Sequence, residues 1–175
     1  MMQFEELDIN WENYLEKLDL IYEFYIENIH NKLYFLDKPV ICREKPEFDG
    51  KVECFWHIIT EDLKHEKKSR ISMHNKENNK TLQERIPDIE RCKRINLIPF
   101  ILNNYDNSKI KCWEKIENTR RGSQNRIYLW LQECSYIVIL GDNKTNFQLI
   151  TAYYINYKHT EQKLIKESKI YNDPR

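Results

Sequence analysis

Five residue types in this chain have the kind and spacing that chemistry uses: histidine, arginine, lysine, threonine and tyrosine. His57 leads, because imidazole is the side chain that titrates near neutrality. It sits in Phe55-Trp56-His57-Ile58-Ile59, either as a proton-transfer group or as a hydrogen-bonded core histidine. Thr151 places a hydroxyl in an apolar row. In a strand from Phe147 to Ile155, alternation puts Phe147, Leu149, Thr151 and Tyr153 on one side and Gln148, Ile150, Ala152 and Tyr154 on the other, although strand propensity alone also explains a threonine there. Arg91 and Arg94, three residues apart, share a helical face. Lys111 and Arg126 open predicted strands, and Arg120-Arg121-Gly122-Ser123 falls in a connecting loop. A guanidinium holds an oxyanion through two parallel bonds. The set suits proton transfer beside an anion held by cations.

Other chemistries lack their defining residues. No G-x-S-x-G elbow, glycine-rich phosphate loop, dinucleotide fingerprint or H-E-x-x-H motif occurs. With three glycines, a backbone cradle for phosphate is hard to build. Cys54-Phe55-Trp56-His57 has the spacing of half a zinc site, but no second compact ligand pair follows it, so no metal is expected, and no cofactor. The five cysteines, Cys42, Cys54, Cys92, Cys112 and Cys134, are scattered among apolar neighbours and odd in number, which reads as reduced core fillers.

The elements that must position these groups follow from composition and periodicity. At 175 residues, 41% hydrophobic, the chain reads as a single domain with a real core. No apolar run approaches the roughly 20 residues of a membrane span, and the acidic start MMQFEELDIN does not read as a secretory signal, so a cytoplasmic protein without a membrane partner is expected. Formal charge is zero but uneven: net minus five from Met1 to Asp19, net plus five from Arg85 to Arg126. Such asymmetry points to a polyanionic partner or to a mixed solvated surface.

Trp11, Tyr14, Leu15, Leu18, Tyr22, Tyr25, Ile29 and Leu33 recur at helical steps behind Asn10 as N-cap, so residues 1–36 read as an acidic amphipathic helix. Val40 to Cys42 reads as a short edge strand, and Lys51 to Thr60 is ambiguous between strand and helical turn. Residues 61–84, polar and cationic, read as an exposed mobile loop. Pro87 is expected to start a helix that Pro99 interrupts and Asn103-Asn104 closes. Four strands, Ile110 to Ile116, Arg126 to Gln132, Tyr136 to Leu140 and Phe147 to Ile155, have connections short enough for antiparallel neighbours, and a last helix covers Thr160 to Tyr171. The expected class is α+β: N-terminal helices, then a four-stranded antiparallel meander and a C-terminal helix.

Taken together, Phe55-Trp56-His57-Ile58-Ile59, Arg85-x-Pro87-Asp88-x-x-Arg91-Cys92-x-Arg94-Ile95, Lys111-x-Trp113, Tyr128-Leu129-Trp130-Leu131, Tyr136-Ile137-Val138-Ile139-Leu140 and Leu149-Ile150-Thr151-Ala152-Tyr153-Tyr154 resemble a phage and mobile-element family of the BECR superfamily, which gathers barnase, EndoU, the tRNA-cleaving colicins and RelE. The likeness covers roughly residues 45–171 and leaves the acidic helix outside. It implies a metal-independent, ribonuclease-like fold whose sheet meets RNA, tRNA or mRNA, in a toxin or a phage or antiphage effector, with a cognate inhibitor protein as a further partner. Cleavage of that kind needs a base for the 2′-hydroxyl, an acid for the departing 5′-oxygen and cations for the crowded phosphorane. On this resemblance His57, Arg91, Arg126, Thr151 and Tyr154 are the catalytic candidates, and Arg94, Lys111, Arg120, Arg121 and Tyr153 the RNA-binding ones. The alternative is a non-catalytic module that binds RNA or protein on the same sheet. Convergence of the candidates in one cleft is what separates the two.

Overall fold

Residues 5–62, 85–119 and 122–175 are described by the structure, a computed structural model. The N-terminal amphipathic pattern folds as α1 (Tyr14–Asn28), shorter than its periodicity suggests. Asn10 and Asn13 form a reciprocal turn ahead of it: Asn13 Oδ1 accepts from Asn10 N–H at 2.8 Å, and Asn10 Oδ1 accepts from Asn13 N–H at 3.1 Å. Tyr14, Ile21 and Tyr25 point into the core, whereas Trp11 and Leu15 are 68% and 80% exposed. The helix ends early because Leu33 has turned into a strand. Leu33–Phe35 (β1) and Lys38–Ile41 (β2) make a hairpin around Leu36 and Asp37, both in the left-handed region at φ 47° and 61°. Positive φ at both central residues is the geometry of a tight hairpin turn.

The ambiguous segment resolves as a helix, α2 (Glu53–Ile59). A short ribbon follows, β3 (Thr60–Asp62) against β4 (Arg85–Pro87). The expected loop lies, from residue 63 to 84, outside the described residues. Pro87 closes β4 and does not start a helix. Asp88 is the N-cap of α3 (Ile89–Lys93), its carboxylate accepting from Arg91 N–H at 3.1 Å. Pro99 is likewise no breakpoint. The chain turns at 94–96, and Pro99 lies in the first turn of α4 (Leu97–Asn103), where its missing N–H has no intrahelical partner to lose.

The C-terminal half supplies β5 (Ile110–Thr119), β6 (Gly122–Leu131), β7 (Tyr136–Asp142), β8 (Phe147–Tyr154) and α5 (Lys158–Ile170). The class is α+β, but the sheet is not a four-stranded antiparallel meander preceded only by helices. Among the described residues it has six strands in the order β1-β2-β8-β7-β6-β5, and β2 runs parallel to β8. The segment expected to be an edge strand, β2, is therefore interior, and β1 takes the edge. β5 and β6 each extend to ten residues, so Arg126 sits within β6 instead of opening it.

One face of the sheet carries the main core, in which Ile127, Leu129, Leu131, Tyr136, Val138, Leu140, Phe147, Leu149 and Ala152 meet Tyr25 of α1, Phe55 of α2, Cys92 of α3 and Ile98 of α4. The opposite face carries a smaller cluster, Trp113, Tyr128, Trp130, Ile137 and Ile139, covered by Leu164 and Ile165 of α5. Burying each large side chain is worth about 1.5–3 kcal/mol relative to exposure. The two clusters thus fix both faces of the sheet and leave chemistry to its ends and edges.

Candidate functional site

The second arm of the terminal hairpin does not keep strict alternation. Pairing runs Val138 with Ala152 and Ile139 with Thr151, then jumps to Leu140 with Leu149. Ile150 is the extra residue of a β-bulge. The expected rows are therefore corrected. Phe147 and Leu149 lie with Ala152 and Tyr154 on the main-core side, while Ile150 and Tyr153 pack on the smaller cluster. Thr151 stands opposite Ile139, on the face of that smaller cluster, half-buried. It makes no side-chain hydrogen bond to another described residue.

The bulge opens onto a cleft of about 1020 Å³. Its walls come from four places: Arg43 after β2, Glu53, Cys54 and His57 of α2, the start of β6, and the β7–β8 turn with the first half of β8. His57, Arg126 and Thr151, three of the catalytic candidates, all line it. His57 is brought there by helical geometry. Cys54, Phe55, Trp56, Ile58 and Ile59 are buried, with Phe55 packed on Tyr22 and Tyr25 at 4.8 and 5.5 Å between ring centres. The remaining stripe carries Glu53 and His57, four apart and so on one face. His57 is half-buried, not walled inside hydrocarbon.

Arg126 reaches the cleft from β6, directly across from Gly141 on β7. Its Nε is buried without a hydrogen-bond partner, and no ion pair or side-chain hydrogen bond joins it to another described residue. Gly141 makes room for the floor of the cleft, since a Cβ there would stand 2.5 Å from Gln124 Nε2. The lining is rich in hydrogen-bonding groups: Gln124, Asn125, Asn143 and Gln148 beside the cations Arg43, Arg126 and Lys144. Two carboxylates, Glu53 and Asp142, balance part of that charge, and Glu53 Oε1 pairs with Arg43 Nη1 at 3.1 Å. Among the described residues no group of three or more His, Cys, Asp or Glu side chains is placed to hold a metal ion.

The remaining candidates are held elsewhere. Arg91 caps the end of α2. Its Nη1 donates to the carbonyls of Thr60 at 2.8 Å and His57 at 3.4 Å, and its Nε lies 3.0 Å from Asp88 Oδ2, a charge contact without hydrogen-bond geometry. The guanidinium also stands 5.6 Å from the Tyr153 ring. Arg94 pairs with Glu6 and Glu90 and lies 4.2 Å over the Tyr154 ring. Both tyrosines thus stack on arginines of the fold, and neither they nor Arg91 and Arg94 line the cleft. The acidic N-terminus meets the basic segment here, through Glu6, and none of its described residues lines the cleft. Lys111 lies 5.3 Å over the Trp130 ring, away from the cleft. Arg120 and Arg121 fall outside the described residues.

Sequence reasoning missed Glu53, Arg43 and Lys144. A signal existed for Glu53, which precedes His57 by one helical turn, but it appears only once residues 53–59 are read as helix. Arg43 and Lys144 are brought in by chain reversals that carry no spacing signal. Among the described residues no helix is long and apolar enough to cross a membrane. Comparison with protein-family models, with curated proteins and with solved structures finds no match. The likeness to the BECR superfamily therefore rests on the residues quoted above, and the cleft has to be judged on its own chemistry.

Proposed function

We propose that this chain is an endoribonuclease-like protein, a toxin or a phage or antiphage effector, that cleaves RNA by general acid/base transesterification in this cleft, with tRNA or mRNA as target. The observation that supports the reading is that His57, Arg126 and Thr151, from a helix and two strands, line one cleft. The three carry different chemistry. His57 exchanges a proton with the 2′-hydroxyl or the leaving 5′-oxygen. Arg126 offers guanidinium N–H groups to phosphate oxygens whose charge grows in the transition state. Thr151 donates its hydroxyl to the same phosphate, and Glu53, one turn from His57, is a second group able to carry a proton. Cleavage by this route needs no metal ion.

The test is incubation of purified protein with RNA in EDTA. Products ending in cyclic phosphate are expected, and His57→Ala should slow their formation by about 10²–10⁴-fold, the range of general acid–base contributions. RNA left intact at high protein concentration overturns the proposal.

A second reading draws on the amide side chains. Gln124, Asn125, Asn143 and Gln148 cannot transfer protons at neutral pH, but they suit the donor and acceptor edges of unstacked bases. On this reading the cleft retains RNA, or a protein partner such as a cognate inhibitor, without cutting. Filter binding with a clear salt slope and no cleavage would favour it.

A further inference from the structure

Two of the five cysteines are not the isolated core fillers that their scatter in the sequence suggests. Cys42 follows β2 and Cys54 lies in the first turn of α2. The segments run side by side, Cys54 N–H donating to the Arg43 carbonyl at 3.0 Å and Glu53 N–H to the Glu44 carbonyl at 3.3 Å. The two sulfurs lie within hydrogen-bonding reach of each other and of the Tyr25 hydroxyl. A polar chain leads outward from them, in which Tyr25 Oη meets His30 Nδ1 at 3.2 Å and His30 Nε2 lies 3.5 Å from Glu44 Oε1. On the other side Cys54 forms part of the cleft wall. No other pair among the five cysteines is arranged in this way.

We propose that Cys42 and Cys54 are a modification site, a thiol pair at the edge of the cleft with Cys54 in its wall, that a hydroperoxide converts reversibly to a disulfide. The proton inventory of the pair favours the reaction. Hydrogen bonds from Cys54, and then from Tyr25, draw the Cys42 thiol below its ordinary value, while Cys54 keeps its proton as donor. The isolated thiols behave oppositely, and burial pushes Cys92 and Cys112 up to about 12. In the first step the thiolate attacks one peroxide oxygen. The O–O bond breaks, and the alkoxide released takes a proton and leaves as an alcohol, giving a sulfenic acid. In the second step the neighbouring sulfur attacks the sulfenic sulfur, hydroxide departs with that thiol's proton as water, and the S–S bond closes. Two thiols and one hydroperoxide give one disulfide, one alcohol and one water. The bond would tie the first turn of α2, which carries Glu53 one turn before His57, to the end of β2.

The experiment is limited oxidation of the folded full chain with hydrogen peroxide, alkylation of the remaining thiols, and non-reducing peptide mass mapping. A Cys42–Cys54 cross-linked peptide is expected as the main product and should disappear on treatment with a thiol reductant, with Cys92, Cys112 and Cys134 recovered alkylated. Cys42→Ser and Cys54→Ser should each lose the cross-link, and a sulfenic acid, trappable with a cyclic 1,3-diketone, is expected on Cys42 of Cys54→Ser but not on Cys54 of Cys42→Ser. Sulfinic acid at either cysteine without a cross-link, preferential reaction at the half-buried Cys134, or no reaction at all would overturn the proposal. RNA cleavage does not enter the readout, so the site stands or falls independently of the function proposed above.

Discussion

Arg91 and Arg126 carry the same side chain into opposite circumstances. Arg91 is surrounded: two carbonyls, the Asp88 carboxylate and the Tyr153 ring all face it, and its side chain is 15% exposed beside an Asp88 that is 14% exposed. Arg126 is half-buried at the mouth of a cleft, and its Nε meets no partner. A guanidinium at a helix C-terminus answers carbonyls left over by the helix itself. One whose guanidinium makes no hydrogen bond or ion pair to a described residue is held by the fold without being used to build it. The contrast separates an arginine that makes the structure from one that the structure presents.

Substitutions at the two positions should fail in different ways. Arg91→Ala leaves Asp88 buried without its countercharge and strips the end of α2 of donors, so a loss of about 3–5 kcal/mol in unfolding free energy is expected. Denaturant titration reads it, and a loss under 1 kcal/mol would show that the cap is dispensable. Arg126→Gln removes a charge that no described residue pairs with, and that acts only at a distance on Glu117. Its unfolding midpoint should stay close to that of the parent, while RNA retention at low salt falls about ten- to hundredfold, corresponding to about 1.5–3 kcal/mol for a charged hydrogen bond. Equal stability losses at both positions would erase the difference between the two arginines.

That distinction was not legible beforehand. Arg91 and Arg94 stood three apart on an expected helix and looked like a phosphate clamp, but spacing cannot say whether a guanidinium faces solvent or the end of another helix. The strand sequences were easier, because the β-branched and aromatic run from Tyr136 to Leu140 leaves little choice of conformation. What escaped was non-local or irregular. The parallel pairing of β2 with β8 joins residues about a hundred positions apart. The β1–β2 hairpin turns on Leu36 and Asp37, and leucine at positive φ is no turn signal. The bulge at Ile150 reverses the facing of half a strand without altering its composition. His57 and Thr151 stand out by their chemistry alone, and that both line one cleft comes from the fold.

A finer probe of the cleft end is Gly141. A methyl group there collides with the amide of Gln124, which is the far end of a flexible side chain and can swing away. Gly141→Ala should therefore cost little, about 1 kcal/mol or less, a figure set against the entropy that glycine loses on folding. The displaced Gln124 should nonetheless change RNA retention more than stability. A loss of several kcal/mol would mean that backbone, not a movable amide, fills the space.

The smallest effect expected belongs to the structural end and is read with acid. Burial raises the Glu90 carboxyl, but the hydrogen bond and charge of Arg94, joined by Lys93, outweigh it and hold the group below its ordinary value. A carboxyl depressed in the folded state contributes stability that is complete above its unfolded pKa, about 4.3 for glutamate, and is lost as pH falls through the folded value. Glu90 is 37% exposed, so solvent screening limits the contribution to a few tenths up to about 1 kcal/mol. Glu90→Gln should therefore lower stability by that amount at neutral pH, and the difference from the parent should close as pH falls below about 4.5, which flattens that part of the acid limb in unfolding experiments. Arg126 forms no ion pair with a described carboxylate, and its charge acts on Glu117 only behind the hydrogen bonds of Lys115 and Tyr128 and the charge of Lys115, so Arg126→Gln should move the acid limb less than Glu90→Gln. An acid limb that Arg126→Gln shifts and Glu90→Gln does not would place the structural charge at the cleft after all.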